Sequence, residues 1–157
     1  MIEIGAIGRD AMNIRRMRRS DIDAVLVLVN KTTEEKTRLT YRELAFDDPG
    51  GPLDLSFLAE TEGQIIGFIM ARLEYVYIPF VEVCLVHAVL VDPEYQRRHI
   101  GSALINELSS HCHLQNINTI RTLVRQDDDE LRSFIQHLGF HRSNISNWDK
   151  TFETWSD

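Results

Sequence analysis

The 157-residue chain predicts an α/β fold: a mixed sheet with helices on both faces. Three observations carry this. Strand-like and helix-like stretches interleave along the chain. Two apolar stretches, "LDLSFLAE" and "QIIGFIMARLEYVY", flank the turn "TEGQ" as a hairpin. The run "VEVCLVHAVLV" from Val81 to Val91 is nearly all apolar, as a central strand covered on both sides must be.

Residues 1–11 carry little pattern and are expected to be a flexible lead-in to a single domain over 1–157. "MNIRRM" reads as a short first strand. A helix follows in "RRSDIDAVLVLVN", with Ser20 as cap and Asp23 three residues on; Ile22, Val25, Leu26 and Val29 form its buried stripe. "KTTEEKTRLTYRELAF" predicts a second, more polar helix, broken by "DDPGGP". Gly63 belongs to the hairpin turn, and Gly67 marks a bulge or a close backbone approach. After the central strand, Leu104, Ile105, Leu108 and Cys112 define one side of a helix. "TIRTLV" is a further strand. "DDDELRSFIQHLGF" is a helix with an acidic start, an apolar stripe of Leu131, Phe134, Ile135 and Leu138, and a stop at Gly139. "WDKTFETW" is expected to be a last strand. The order is β-α-α-β-β-β-α-β-α-β.

A net charge of −7 weighs against a nucleic-acid partner, whose phosphates need a basic surface. "RRMRR" (Arg15 to Arg19) is then a solvated strand edge. Two cysteines build no disulfide framework and point to a reducing compartment. No stretch has the length of a membrane span or the pattern of a secretory signal, so a cytoplasmic protein without a membrane partner is expected. "HCH" (His111 to His113) has no partner cluster at zinc spacing, so no metal is expected.

The chemistry concentrates in "YQRRHIGSALI", directly after the central strand. A tight loop opening a helix presents unpaired N–H groups, and the helix dipole favours negative charge there. Gly101, Ser102 and Ala103 are small enough for a ligand to approach the backbone, and Arg97 and Arg98 add cationic donors. A phosphate or pyrophosphate is the natural guest.

"VLVDPEYQRRHIGSALI" resembles the acetyl-CoA-binding signature of the GCN5-related N-acetyltransferases (GNAT family), Gln/Arg-x-x-Gly-x-Gly/Ala. Gln96 and Gly101 match; His99 stands where the first glycine is expected. "IRRMRRSDIDAVLVL", "ETEGQIIGFIMARL" and "DDDELRSFIQHLGF" are similar to the family's first strand and helix, second and third strands, and the helix ending in Gly-Phe. The resemblance implies the GNAT acyl-CoA N-acyltransferase fold, its sheet splayed between the fourth and fifth strands, with acetyl-CoA as co-substrate. The pantetheine arm would pair with Val89 and Val91, Leu90 lying between. The pyrophosphate would sit on N–H groups from Arg98 through His99, Ile100, Gly101 and Ser102 to Ala103, beside Gln96 and Arg97. Asp128, in register with a family asparagine, and Phe134 complete the implied cofactor contacts. A helix-capping role for Asp128 is the favoured alternative.

Acetyl transfer to an amine needs a base for the amine, a donor to the oxyanion and an acid for the thiolate. His87 is the only side chain between Val83 and Val91 whose ordinary titration lies near neutral pH, an imidazole titrating at about 6.5 in water. It is a candidate general base, at a place where some family members carry a carboxylate; a buried neutral histidine is an equal alternative. Glu82 is a weaker candidate. By resemblance the Val89 N–H is the oxyanion donor. The family's thiolate-protonating tyrosine is absent, since Ile135 follows Phe134. The expected function is therefore acetyl-CoA-dependent N-acetylation of a primary amine on a small molecule or peptide. Net acidity leans toward a cationic acceptor, and a homodimer is plausible by resemblance. A non-catalytic acyl-CoA-binding module is the alternative. Tyr75, Tyr77 and Phe80 flank a loop that in the family borders the acceptor groove.

Overall fold

The turn "TEGQ" closes with positive φ at both central residues, 49° at Glu62 and 75° at Gly63. That is the twist a two-residue hairpin needs. It joins β2 (Phe57–Thr61) to β3 (Gln64–Val76) with Thr61 opposite Gln64. The computed structural model describes residues 12–32, 41–45, 48–76 and 81–153. The chain divides into two compact units, Met1–Leu123 and Val124–Asp157.

In the first unit β1 (Met12–Arg16), β2, β3, β4 (Val81–Val91) and β5 (Ile120–Thr122) form one sheet in that spatial order. The first four strands run antiparallel to their neighbours, and β5 runs parallel to β4. Helices α1 (Ile22–Thr32) and α2 (Tyr41–Ala45) cover one face, where Ile22, Val25, Leu28 and Leu44 bury against Leu58, Phe68 and Met70. Helix α3 (Ile100–Leu114) covers the other face through Leu104, Ile105, Leu108 and Cys112, the side of the helix that the sequence marks.

Gly67 shows why α3 lies so close. A Cβ there would stand 3.1 Å from the Leu90 carbonyl oxygen and 3.3 Å from Ile100 Cγ2. The β2–β3 register also slips at this level: Ala59 pairs with Gly67 and Glu60 with Ile65, leaving Ile66 as the extra residue of a bulge next to Gly67. Both expectations for Gly67 therefore hold.

Three expectations change, and one falls partly outside the described residues. The α1 stripe includes Leu28 as a buried residue, with Leu26 only partly buried, because the helix face centres on Val25 and Val29. Ser20 is not the cap. Asp21 takes the Arg18 N–H at 2.8 Å and both Nη atoms of Arg15 at 2.9 and 2.8 Å. These bonds end on a charged acceptor, which a serine hydroxyl cannot match. Of the second helix only Tyr41–Ala45 is described, and residues 33–40 and 46 lie outside the described residues, as do the lead-in, Tyr77 and Phe80. Finally, residues 148–153 form no strand. A strand needs a ladder partner, and the preceding "HRSNISN" offers no alternating apolar pattern.

The second unit holds α4 (Asp129–His137). Asp128 Oδ1 caps it by accepting the Leu131 N–H at 3.0 Å. Gly139, at φ 92°, closes it, with Phe140 N–H bonded to Ile135 C=O and Gly139 N–H to Gln136 C=O.

Candidate functional site

Three hydrogen bonds fix which way the β4 backbone faces. Cys84 N–H bonds the Thr119 carbonyl at 2.9 Å, and Thr122 Oγ1 donates to Val86 C=O at 3.4 Å, so Cys84 and Val86 face β5. Asp92 N–H bonds Ile66 C=O at 2.8 Å, so Asp92 faces β3 and, by alternation, so does Leu90. In a regular strand residues 84, 86, 90 and 92 would all face the same side. The register slips between them: Met70 pairs with Ala88 and Ala71 with Val86, leaving His87 as the extra residue of a bulge. As a result Val89 and Val91 turn their N–H and C=O groups to the β5 side, with Leu90 between them.

On that side none of the described residues pairs with them. The β5 ladder covers only Cys84, Leu85 and Val86. Beyond Val86 the β4 edge is open among the described residues, which is the splay that the sequence implies.

The open edge runs into the loop. Asp92 is 1% exposed and takes the Glu94 N–H at 3.0 Å and Lys31 Nζ at 2.9 Å. The Glu94 amide and the Lys31 ammonium hold its carboxyl below the usual carboxylate range. Asp92 thus ties the loop to α1. The sequence carries one signal of this anchor, the Asp-Pro pair after an apolar run. Past Tyr95, Arg97 and His99 have φ of 64° and 60°, with Arg98 between them outside the positive-φ region. This alternating backbone turns successive N–H groups inward as an anion-binding nest. Ala103 N–H bonds His99 C=O at 3.0 Å. Among the described residues no acceptor takes the N–H groups of Arg98, His99, Ile100, Gly101 or Ser102. Arg98 stacks over Tyr95, its guanidinium carbon 5.1 Å from the ring centroid. His99 therefore occupies the left-handed conformation in which the family motif carries glycine.

His87 is exposed, beside Ala88 in the bulge. Both oppose Met70, which belongs to the core under α1, so both side chains stand on the α1 face. Glu82 stands on the α3 face instead, at the far end of β4. It lines a separate cleft of about 470 Å³ with Arg16, Asp54, Leu73 and His111. His111 Nε2 lies 3.1 Å from Arg16 Nη1 and its ring stacks edge-on against Phe57 at 5.6 Å. "HCH" is thus divided among this structural contact at His111, the core at Cys112 and solvent at His113. Among the described residues no cluster of ligating side chains could hold a metal, and no helix is long and apolar enough to cross a membrane. Cys84 and Cys112 are free and buried. Asp128 and Phe134 belong to the second unit, where Asp128 caps α4 and Phe134 is half-buried on it.

What remains is an extended strand edge with free backbone groups, leading into a nest of free amides at a helix start. That arrangement suits a ligand with an amide-bearing arm and a phosphate-bearing end.

Comparisons with known proteins agree. An uncharacterized N-acetyltransferase from Methanocaldococcus jannaschii is 27% identical over 90 residues, which is 57% of this chain and 40% of that protein. The chain therefore spans well under half of that curated relative. Among solved structures, a ribosomal-protein-alanine N-acetyltransferase from Escherichia coli superposes with a TM-score of 0.71 at 20% identity, over 85% of this chain and 79% of that one. An aminoglycoside N-acetyltransferase in complex with CoA superposes at 0.75 and 17%, over 89% and 94%. These likenesses show a shared fold. The family model described as "Acetyltransferase (GNAT) family" matches residues 21–140, through both units, and so the chain belongs to that family.

Proposed function

We propose that the protein is an acetyl-CoA-dependent N-acetyltransferase working as one domain, in which a primary amine attacks the thioester directly in a ternary complex. The observation that carries this is the β4 edge: Val89 and Val91 face an opening that β5 leaves beyond Val86, and the edge leads straight to the free amides at the start of α3.

The residues present fit the group. Val89 and Val91 offer a strand edge to the pantetheine arm, with Leu90 between. The N–H groups from Arg98 to Ser102 take the pyrophosphate, with Gln96, Arg97 and Arg98 beside them; the Ala103 N–H, expected in this set, is engaged by His99 C=O. When bound, acetyl-CoA supplies an activated acyl group and a thiolate leaving group. The Val89 N–H, turned outward by the bulge, stabilises the oxyanion. His87, exposed at the same bulge, takes the amine proton directly or through water. Ile135 stands where the family's tyrosine would be, so the thiolate leaves unprotonated or takes its proton from water.

The test is CoA release from acetyl-CoA against a panel of primary amines, with the pH–rate profile of wild type and His87→Ala. Amine-dependent release, with a profile altered in the variant, supports the reading. Tight CoA binding without turnover of any amine gives the place to a non-catalytic acyl-CoA-binding module, which the missing tyrosine favours. Absence of CoA binding overturns both.

A further inference from the structure

The face that carries His87 also carries a row of arginines. On β3, Met70 lies in the core under α1, and Leu73 lines the cleft on the α3 side. Alternation along this strand puts Arg72 on the α1 face. Arg72 pairs with Leu85 of β4, and Leu85 pairs with Arg121 of β5. Residues in register across neighbouring strands share a face, so Arg72, Leu85 and Arg121 form one row on the side where His87 stands. The row lies beyond the end of the core under α1 and one step from the bulge. Backbone spacing puts Arg121 about 8 Å from His87, Cα to Cα.

The two guanidiniums are not neutralised there. Among the described residues Arg72 meets only Glu74, at 3.9 Å, and Arg72 is 28% exposed in its side chain. Arg121 is half-buried, and its guanidinium has no hydrogen bond or ion pair among the described residues. Holding a guanidinium partly out of water without a counter-charge is unfavourable, and a planar carboxylate is the partner its donor geometry fits best.

We propose that Arg121, assisted by Arg72, is an anion subsite for the acceptor. The acceptor is then a small amine that carries a carboxylate several ångströms from its nucleophilic nitrogen, as an ω-amino acid or a dipeptide does. The inference rests on the acetyltransferase reading and narrows its substrate class. It also reverses the lean drawn from net charge: the global balance is acidic, but the field at the acceptor face is set by the nearest groups.

The experiment compares γ-aminobutyrate and δ-aminovalerate with butylamine and pentylamine. It uses wild type, Arg121→Gln, Arg121→Lys and Arg72→Gln. CoA release gives kcat/KM, and calorimetry with CoA present gives binding without turnover. We expect the amino acids to exceed the alkylamines by tenfold or more in both measurements. Arg121→Gln should bring the ratio close to one with the alkylamine rate and CoA affinity unchanged. Arg121→Lys should restore part of it, and Arg72→Gln should lower it partially. Equal or better use of alkylamines by wild type, or a ratio untouched by Arg121→Gln, overturns the subsite. Because the binding comparison needs no turnover, a protein that acetylates nothing still decides the subsite, while the acetyltransferase reading fails separately.

Discussion

Lys31 at the end of α1 holds Asp92 at the end of β4, its Nζ 2.9 Å from Oδ2. One ion pair thereby joins the first helix to the loop that opens α3. Asp92→Ala also releases the Glu94 N–H. Loss of such a cap costs about 1–2 kcal/mol. CoA affinity should fall as well, because the turn before the nest loses its anchor. The carboxyl is depressed below its ordinary value, so its contribution is complete above the usual carboxylate range and disappears as pH falls through the lower native value. Urea unfolding at neutral and acid pH should show Asp92→Asn with a flatter acid limb than wild type.

His99 sits at φ 60°. A left-handed non-glycine residue stores strain of about 1–3 kcal/mol, part of which glycine gives back as lost chain entropy. His99→Gly should be neutral to about 1 kcal/mol more stable, and should bind CoA equally or more tightly. A large loss of CoA affinity, measured by calorimetry, would show that the imidazole is itself a ligand contact.

Gly67→Ala places a methyl 3.1 Å from a backbone oxygen and 3.3 Å from Ile100. The oxygen cannot rotate away, so α3 must shift. Overpacking of this kind costs about 1–3 kcal/mol. CoA binding should weaken together with thermal stability, since Ile100 opens the helix that presents the amides. An unchanged melting temperature would show that the contact is slack.

His111 is pushed below its ordinary value, first by burial and then by the Arg16 charge. Its native form is neutral, so the unfolded chain binds the extra proton. Stability should therefore be complete above about pH 6.5 and decline as pH drops through the native value. His111→Gln should remove that slope between neutral and mildly acid pH in urea titrations, without changing CoA affinity.

Much of this was legible in the sequence, for local reasons. The α3 stripe, the hairpin turn and the glycine after α4 each follow from spacing within a few residues. The loop was legible because small residues and two arginines follow a buried strand. Other features arise from contacts distant in sequence. Asp21 displaced Ser20 as cap because Arg15 reaches it across the strand end. Arg72 and Arg121 share a row only through β4, and no spacing in the chain reveals that. The expected last strand does not form at 148–153, because strand propensity there supplies no partner. His87 was found as a titratable residue in an apolar run, but its place as the extra residue of a bulge depends on the register with β3.

That extra residue acts as a spacer. Deleting His87 would leave Val86, Ala88 and Val89 in unbroken alternation, with Val89 and Val91 still turned outward and the strand straightened. Nothing would then stop the β5 ladder at Val86, and the two strands could zip further along their length. The opening thus begins where β4 holds one residue more than its partner. A one-residue deletion at this point could close it, whereas a substitution would only change what stands beside it.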